Sequence, residues 1–206
     1  MKIGIYSGSF NPVHQGHVAL CDYLVREGMV DEVWLIRSPL NPLKAQSADS
    51  LAPDADRQRM LELAIKGHLG LKVCCIEDTL SRPNYSINTL RVLQQIFPED
   101  EFHLIIGADN WLIFDHWKAY DEILCDFHLI VYPRPGYDDP SRADICEVLG
   151  TNHVRFASKA PLFNISSTQI REAVAHGERP EMLDDCVLDY IRKNDLYRLV
   201  DRNGEC

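Results

Sequence analysis

Five short runs that are almost wholly apolar punctuate a chain of 206 residues: 3–6, 33–36, 71–76, 102–106 and 127–132. They are too short for helices and lack the polar alternation of a strand with one wet face. Strands this apolar are covered on both sides, and a parallel sheet between two helical layers provides that cover. A sixth, weaker strand is expected at 153–156. Between the runs lie segments of helical period. Residues 16–27 follow the first strand; 55–68 place Met60, Leu61, Ala64 and Ile65 on one face; 87–97 do the same with Ile87, Leu90, Val92 and Leu93. Shorter helices are expected at 117–125 and 142–149. Alternation of this kind implies right-handed crossovers and a Rossmann-like, doubly wound α/β sheet. The last stretch changes character, with helical segments at 167–176 and 180–193 and no strand between them. The expected organisation is one domain over 1–206, a sheet core in 1–160 and a small C-terminal helical extension in 161–206. Two long loops, 38–54 and 133–141, interrupt the pattern, and loops of that length in a tight α/β unit usually carry function.

Composition narrows the partners. Twenty-one basic residues against 31 acidic ones leave a net charge of −10, which repels nucleic acid and anionic lipid. No apolar run approaches the roughly 18 residues that a bilayer span needs, and Met1-Lys2-Ile3-Gly4-Ile5 leads directly into a strand without a secretory leader. Seven cysteines is an odd number, Cys74 and Cys75 are adjacent, and there is no C-x-x-C pair. These are the thiols of a cytoplasmic protein, not a disulfide framework or a zinc site.

The chemistry concentrates where the first strand ends, in Gly8-Ser9-Phe10-Asn11-Pro12-Val13-His14-Gln15-Gly16-His17. Ligands of doubly wound sheets bind beyond the carboxyl ends of the strands. Gly8 permits a tight exit, and His14 and His17, three apart, share one face of a first helical turn. Gly16 removes a side chain where a flat ring could lie against the backbone, and the helix amides add partial positive charge. The combination suits a nucleoside triphosphate. Zinc suits it less, because H-x-x-H supplies two ligands and no third follows at metalloprotease spacing.

These residues resemble the G-[ST]-F-[DN]-P-x-H-x-G-H signature of the HxGH nucleotidylyltransferases, and four further blocks point to the nicotinate-nucleotide adenylyltransferase branch. Pro39-Leu40-Asn41-Pro42-Leu43-Lys44 is similar to that branch's P-x-x-P-H-K loop, with Leu43 where the histidine stands. Arg82-Pro83-Asn84-Tyr85-Ser86-Ile87-Asn88-Thr89-Leu90 resembles its R-x-S-Y-[TS]-x-[DN]-T-L block. Ile106-Gly107-Ala108-Asp109, with Trp117 downstream, resembles its IGAD…W segment, and Ile165-Ser166-Ser167-Thr168-Gln169-Ile170-Arg171 its I-S-S-T-x-I-R block. The resemblance runs from about residue 3 to 175.

It implies transfer of AMP from ATP to nicotinate mononucleotide, giving nicotinate adenine dinucleotide and pyrophosphate, a step of NAD biosynthesis. The attacking phosphate is largely ionised at neutral pH, so alignment and charge neutralisation suffice without a protein base. The resemblance assigns catalysis to His17, His14 and Arg171. It assigns ATP binding to Gly8, Ser9, Phe10, His14, Gly16, His17, Gly107, Asp109, Ser166, Ser167, Thr168 and Arg171. For the mononucleotide it assigns Asn11, Lys44, Tyr85, Ser86, Trp117 and Arg134, with Trp117 stacked on the pyridine ring and the helix start at Tyr85-Ser86 binding its carboxylate. Mg²⁺ is expected on the ATP phosphates, with no ligand from the protein. On composition alone, Ser166 with Gln169 also reads as an ordinary helix cap, and Asp109 equally as a cap of the helix that follows.

Three other readings remain open at this level. The same fold could adenylylate nicotinamide mononucleotide or another small phosphate, or bind nucleotide without catalysis. A class I aminoacyl-tRNA synthetase shares the H-x-G-H logic but fails on size, acidity and the I-S-S-T-Q-I-R block. A homo-oligomer is left open.

Overall fold

The computed structural model describes residues 1–38, 51–137 and 153–198. Six strands form one wholly parallel sheet: β1 (Lys2–Gly8), β2 (Glu32–Arg37), β3 (Leu71–Cys74), β4 (Glu101–Gly107), β5 (His128–Tyr132) and β6 (Val154–Phe156), in the spatial order β3-β2-β1-β4-β5-β6. The order reverses beside β1. That is the switch point at which doubly wound sheets open a crevice, and the histidine loop leaves from it.

All six expected strands are present. The run at 71–76 stops early: β3 ends at Cys74, and Ile76–Thr79 turns into a 3-10 helix. β3 is an edge strand with only Leu71 buried, so its apolar composition overstates its cover. Helices α1 (Gln15–Arg26), α2 (Asp54–Ala64), α3 (Ser86–Ile96) and α5 (Tyr120–Asp126) lie within a few residues of their expected positions, and a single turn, α4 (Ala108–Trp111), is added after β4. The expected helix at 142–149 lies outside the described residues.

Packing explains the boundaries. Met60, Leu61, Ala64 and Ile65 are buried on α2, as are Ile87, Leu90 and Leu93 on α3, and each larger side chain removed from water contributes about 1.5–3 kcal/mol. α2 stops at Ala64, short of the expected 68, and Gly67 just beyond it takes φ +90°. The C-terminal helices are α6 (Ser167–Ala175) and α7 (Asp185–Lys193). The second begins five residues later than its periodicity suggests. Pro180 contributes no amide, and Met182 sits in the left-handed region at φ +59°. The segment docks instead on the start of α1: Gln15 N–H donates to Met182 O and Gln15 Nε2 to Asp184 Oδ1, both at 2.8 Å. Ile170, Val187, Leu188 and Ile191 join the same apolar cluster as α1, α2 and one face of the sheet. Among the described residues no helix is long and apolar enough to cross a membrane.

Candidate active site

The loop from Gly8 to His14 is held from behind by residues that carry no recognisable motif. Phe10 adopts φ +43°, a conformation that costs an L-residue about 1–2 kcal/mol. Its ring is buried edge-on against Tyr6 and His17, with centroids at 5.6 and 5.2 Å, and lies where a Cβ on Gly8 would come within 3.2 Å. Arg57 is fully buried in α2 and donates to Ser9 O at 2.5 Å, Ser38 O at 2.9 Å and Ala52 O at 3.1 Å. One guanidinium thereby fixes the exits of both β1 and β2.

The loop presents two stacked imidazoles. His14 is the N-cap of α1, and its backbone N–H donates to His17 Nδ1 at 3.2 Å. With Nδ1 accepting, the neutral His17 ring carries its proton on Nε2. The ring centroids are 3.7 Å apart, tilted by 28°. The flat ring for which Gly16 makes room is that of His14: a Cβ there would meet His14 Nδ1 at 3.0 Å. Burial, and secondarily the nearby Arg134 cation, pull the His14 pKa down to about 4, so it is neutral at physiological pH.

α6 reaches the same loop from the far end of the chain. Ser167 Oγ donates to Pro12 O and Arg171 Nη1 to Asn11 O, each at 2.8 Å, while Arg171 Nη2 donates to Thr168 Oγ1 at 3.2 Å. The expected capping box is present, with Ser166 N–H donating to Gln169 Oε1 and Gln169 N–H to Ser166 Oγ.

Two clefts open beside this loop. His14, Gly16, His17, Arg134 and Ile165 line the smaller. Gly8, Tyr85, Ser86, Gly107 and Trp117 line the larger. Tyr6 and Tyr132, joined hydroxyl to hydroxyl at 3.2 Å, are common to both walls. α3 begins at Ser86 with no side-chain cap from Tyr85, and both residues line the larger cleft; uncapped amides at a helix start favour an anion. Trp117 packs on Phe114 and lines the same cleft, whereas Trp111 is wholly buried core.

Three of the expected contact residues are engaged within the protein itself. Asn11, assigned to the mononucleotide, is 2% exposed, and its Oδ1 accepts from Ala52 N–H at 3.0 Å and Tyr197 O–H at 2.8 Å; it ties the loop inward. Phe10, assigned to ATP, contributes a ring that backs His17, and the hydroxyl of Ser166 is engaged in its cap. Arg134, assigned to the mononucleotide as a further phosphate contact, lines the histidine cleft. Its Nε lies 3.5 Å from Asp109 Oδ1, and its chain passes within 2.9 Å of where a Cβ on Gly107 would stand. Asp109 is therefore not a helix cap, because α4 starts before it at Ala108 and the carboxylate turns to Arg134. Lys44 lies outside the described residues.

One residue escaped the sequence reading altogether. Glu77 is 4% exposed on the wall of the larger cleft and accepts from the hydroxyls of Ser7 at 3.2 Å, Ser38 at 2.8 Å and Thr89 at 3.1 Å. Its only signal was an acidic residue at the end of an apolar run.

A doubly wound sheet with a histidine pair at its switch point and a Ser-Thr-Arg helix start docked on the same loop defines a nucleotidylyltransferase. The cytidylyltransferase-like family matches residues 5–173, and the chain belongs to it. A Bacteroides fragilis protein named "Probable nicotinate-nucleotide adenylyltransferase" is 45% identical over 177 residues, covering 86% of this chain and 84% of its own. A Bacteroides thetaiotaomicron protein of the same name is 41% identical over 196 residues, 94% and 92% of the two chains. The chain is thus a member of the nicotinate-nucleotide adenylyltransferase family. The solved nicotinic acid mononucleotide adenylyltransferase of Plasmodium falciparum, complexed with NaAD, shares the fold with a TM-score of 0.76 at 17% identity, over 95% of this chain and 97% of that one.

Proposed function

We infer that this chain transfers AMP from ATP to nicotinate mononucleotide, releasing pyrophosphate and forming nicotinate adenine dinucleotide. One observation carries the reading: helix starts 152 residues apart in sequence, α1 with its two imidazoles and α6 with Ser167, Thr168 and Arg171, meet at one loop beside a cleft lined by Trp117 and an uncapped helix start.

The triphosphate occupies the histidine side. His17 donates from Nε2, the neutral His14 ring stacks behind it, and Arg171 and Thr168 offer donors from α6. Such donors, fixed before charge accumulates, stabilise the in-line transition state without reorganisation. Asp109 receives the adenosine ribose and Arg134 adds a cation on the phosphate side. The nicotinate ring lies against Trp117, a favourable arrangement for an electron-poor ring, and its carboxylate meets the first amides of α3. An amide in that place lacks the charge those amides attract. The mononucleotide phosphate is assigned to Lys44 on the motif resemblance alone.

Mg²⁺ enters on ATP. The donors that line the histidine cleft are imidazole, guanidinium and hydroxyl, which suit phosphate oxygens, and Asp109 is engaged by Arg134. Bound through the triphosphate, the ion neutralises charge on the departing pyrophosphate. The enzyme works in the cytoplasm, a reading supported by the free state of the described cysteines.

The test is turnover with ATP and Mg²⁺ on nicotinate and nicotinamide mononucleotides in parallel. A strong preference for nicotinate is expected. Equal rates would remove the assignment of the α3 amides to the carboxylate, and no turnover with either would leave nucleotide binding without catalysis.

A further inference from the structure

At the end of the sheet opposite the clefts, two similar tetrapeptides lie side by side. Phe102-His103-Leu104-Ile105 on β4 and Phe127-His128-Leu129-Ile130 at β5 are paired in register, His103 against His128 and Leu104 against Leu129. Glu101 is two residues before His103, so both side chains leave the same face of β4. Leu129 pairs with Val154 on the next strand, which brings His153 alongside His128. The result is a row of three histidines across adjacent strands, each ring 4.7 Å from the next, with one carboxylate over it.

We propose that Glu101, His103 and His128 form a binding site for a borderline divalent transition-metal ion of the zinc type. One ligand atom from each lies within 4.8 Å of the others. Glu101 Oε1 is 2.7 Å from His103 Nε2 and 3.4 Å from His128 Nε2, so one carboxylate already bridges two imidazoles through their Nε2 atoms. Ligand atoms around tetrahedral zinc stand about 3.3 Å apart for bonds of 2.0–2.1 Å, and small side-chain rotations close that difference.

A second observation points to a missing ligand. His103 is 2% exposed; its Nε2 has only the Glu101 carboxylate beside it, at 2.7 Å, and its Nδ1 is buried without a hydrogen-bond partner. A buried ring nitrogen left so is costly, and the Nε2–carboxylate approach is one that an ion between the two would satisfy. His153, whose Nδ1 is likewise buried without a partner, packs on the face of His128 and fixes that ring. Glu101 and His128 keep 45% and 32% of their side-chain surface, which leaves an entry path and room for water as a fourth ligand. Two imidazoles and one carboxylate favour zinc and its neighbours over Mg²⁺ or Ca²⁺. The nearby cations are Lys2, opposite Glu101 on β1, and Arg155, whose Nη1 is turned to Met29 O at 3.1 Å. His103 is four residues from Gly107 along β4, about 13 Å at 3.3 Å per residue, so the ion would clamp strands rather than join the transfer reaction.

The experiment uses the full chain freed of metal, titrated with Zn²⁺ by calorimetry and with Co²⁺ by absorption, beside Glu101→Gln and His128→Gln. Expected are one Zn²⁺ per chain, a Co²⁺ spectrum without thiolate charge transfer, affinity lowered in each variant by more than the roughly 10–100-fold that loss of an outer-shell partner costs, and a Zn²⁺-dependent rise in melting temperature that the variants lose. Turnover of ATP and nicotinate mononucleotide should be the same in wild type and variants. Absence of Zn²⁺ binding, equal binding by wild type and both variants, or a thiolate band that assigns the ion to cysteines would each overturn the proposal.

Discussion

His17 Nδ1 accepts the backbone N–H of His14, and that bond joins catalysis to helix formation: the residue that caps α1 also sets which nitrogen of its neighbour carries the proton. Replacement of His17 by Ala removes the phosphate-facing donor together with one local bond. A loss of about 10²–10³-fold in kcat is expected from the removal of one preorganised donor, with the chain still folded, because a lost cap costs only about 0.5–2 kcal/mol. Steady-state kinetics beside a thermal melt separates the two, and wild-type turnover in the alanine variant would remove His17 from the mechanism.

The buried state of His14 makes stability depend on acidity. Its folded pKa of about 4 lies below the ordinary 6.5, so between those values the unfolded chain binds a proton that the folded chain does not. Stability from this group is fully present above about pH 6.5 and falls as the pH drops toward 4, by about 3 kcal/mol in total. Urea unfolding at pH 7 and pH 5 should show a loss that is about 2 kcal/mol smaller in His14→Asn, which keeps a good capping residue. Equal losses in the two proteins would assign the effect to other groups.

Gly107 lines the larger cleft and cannot carry a side chain without moving its neighbours. A Cβ would stand 2.9 Å from Arg134 Cγ and closer still to Asp109 Oδ1. Gly107→Ala should therefore displace the Arg134–Asp109 pair. Misplacement by about 1 Å costs on the order of 10²-fold in rate, so kcat/KM for ATP should fall by that order while circular dichroism is unchanged. An alanine variant with unaltered ATP kinetics would show that the pair has no part in nucleotide positioning.

Glu77 gathers three hydroxyls from β1, the exit of β2 and α3. Truncation in Glu77→Ala leaves those donors in a buried place without their acceptor, at about 1–3 kcal/mol, and loosens the ring cleft. Glu77→Gln keeps the shape and one carbonyl oxygen, so its loss should be smaller in chemical denaturation. Alanine and glutamine variants as stable as the wild type would show that the hydroxyls find other partners.

The amino-acid sequence by itself determined whatever depends on neighbours along the chain. Apolar runs became strands because no other element so short buries both faces. Ser166 capped α6 through Gln169, and His14 met His17, because each pair is completed within one turn. The tertiary structure alone decided the rest. It turned Asn11 inward to Tyr197, set Arg134 beside Asp109, buried Arg57 as a brace for two loops, and placed His103 beside His128. These partners are separated by 19 to 186 residues, and strand order and packing, not local periodicity, bring them together. A charged or polar side chain reads the same in sequence whether it faces water, ligand or core; only the packing around it settles which of these it meets.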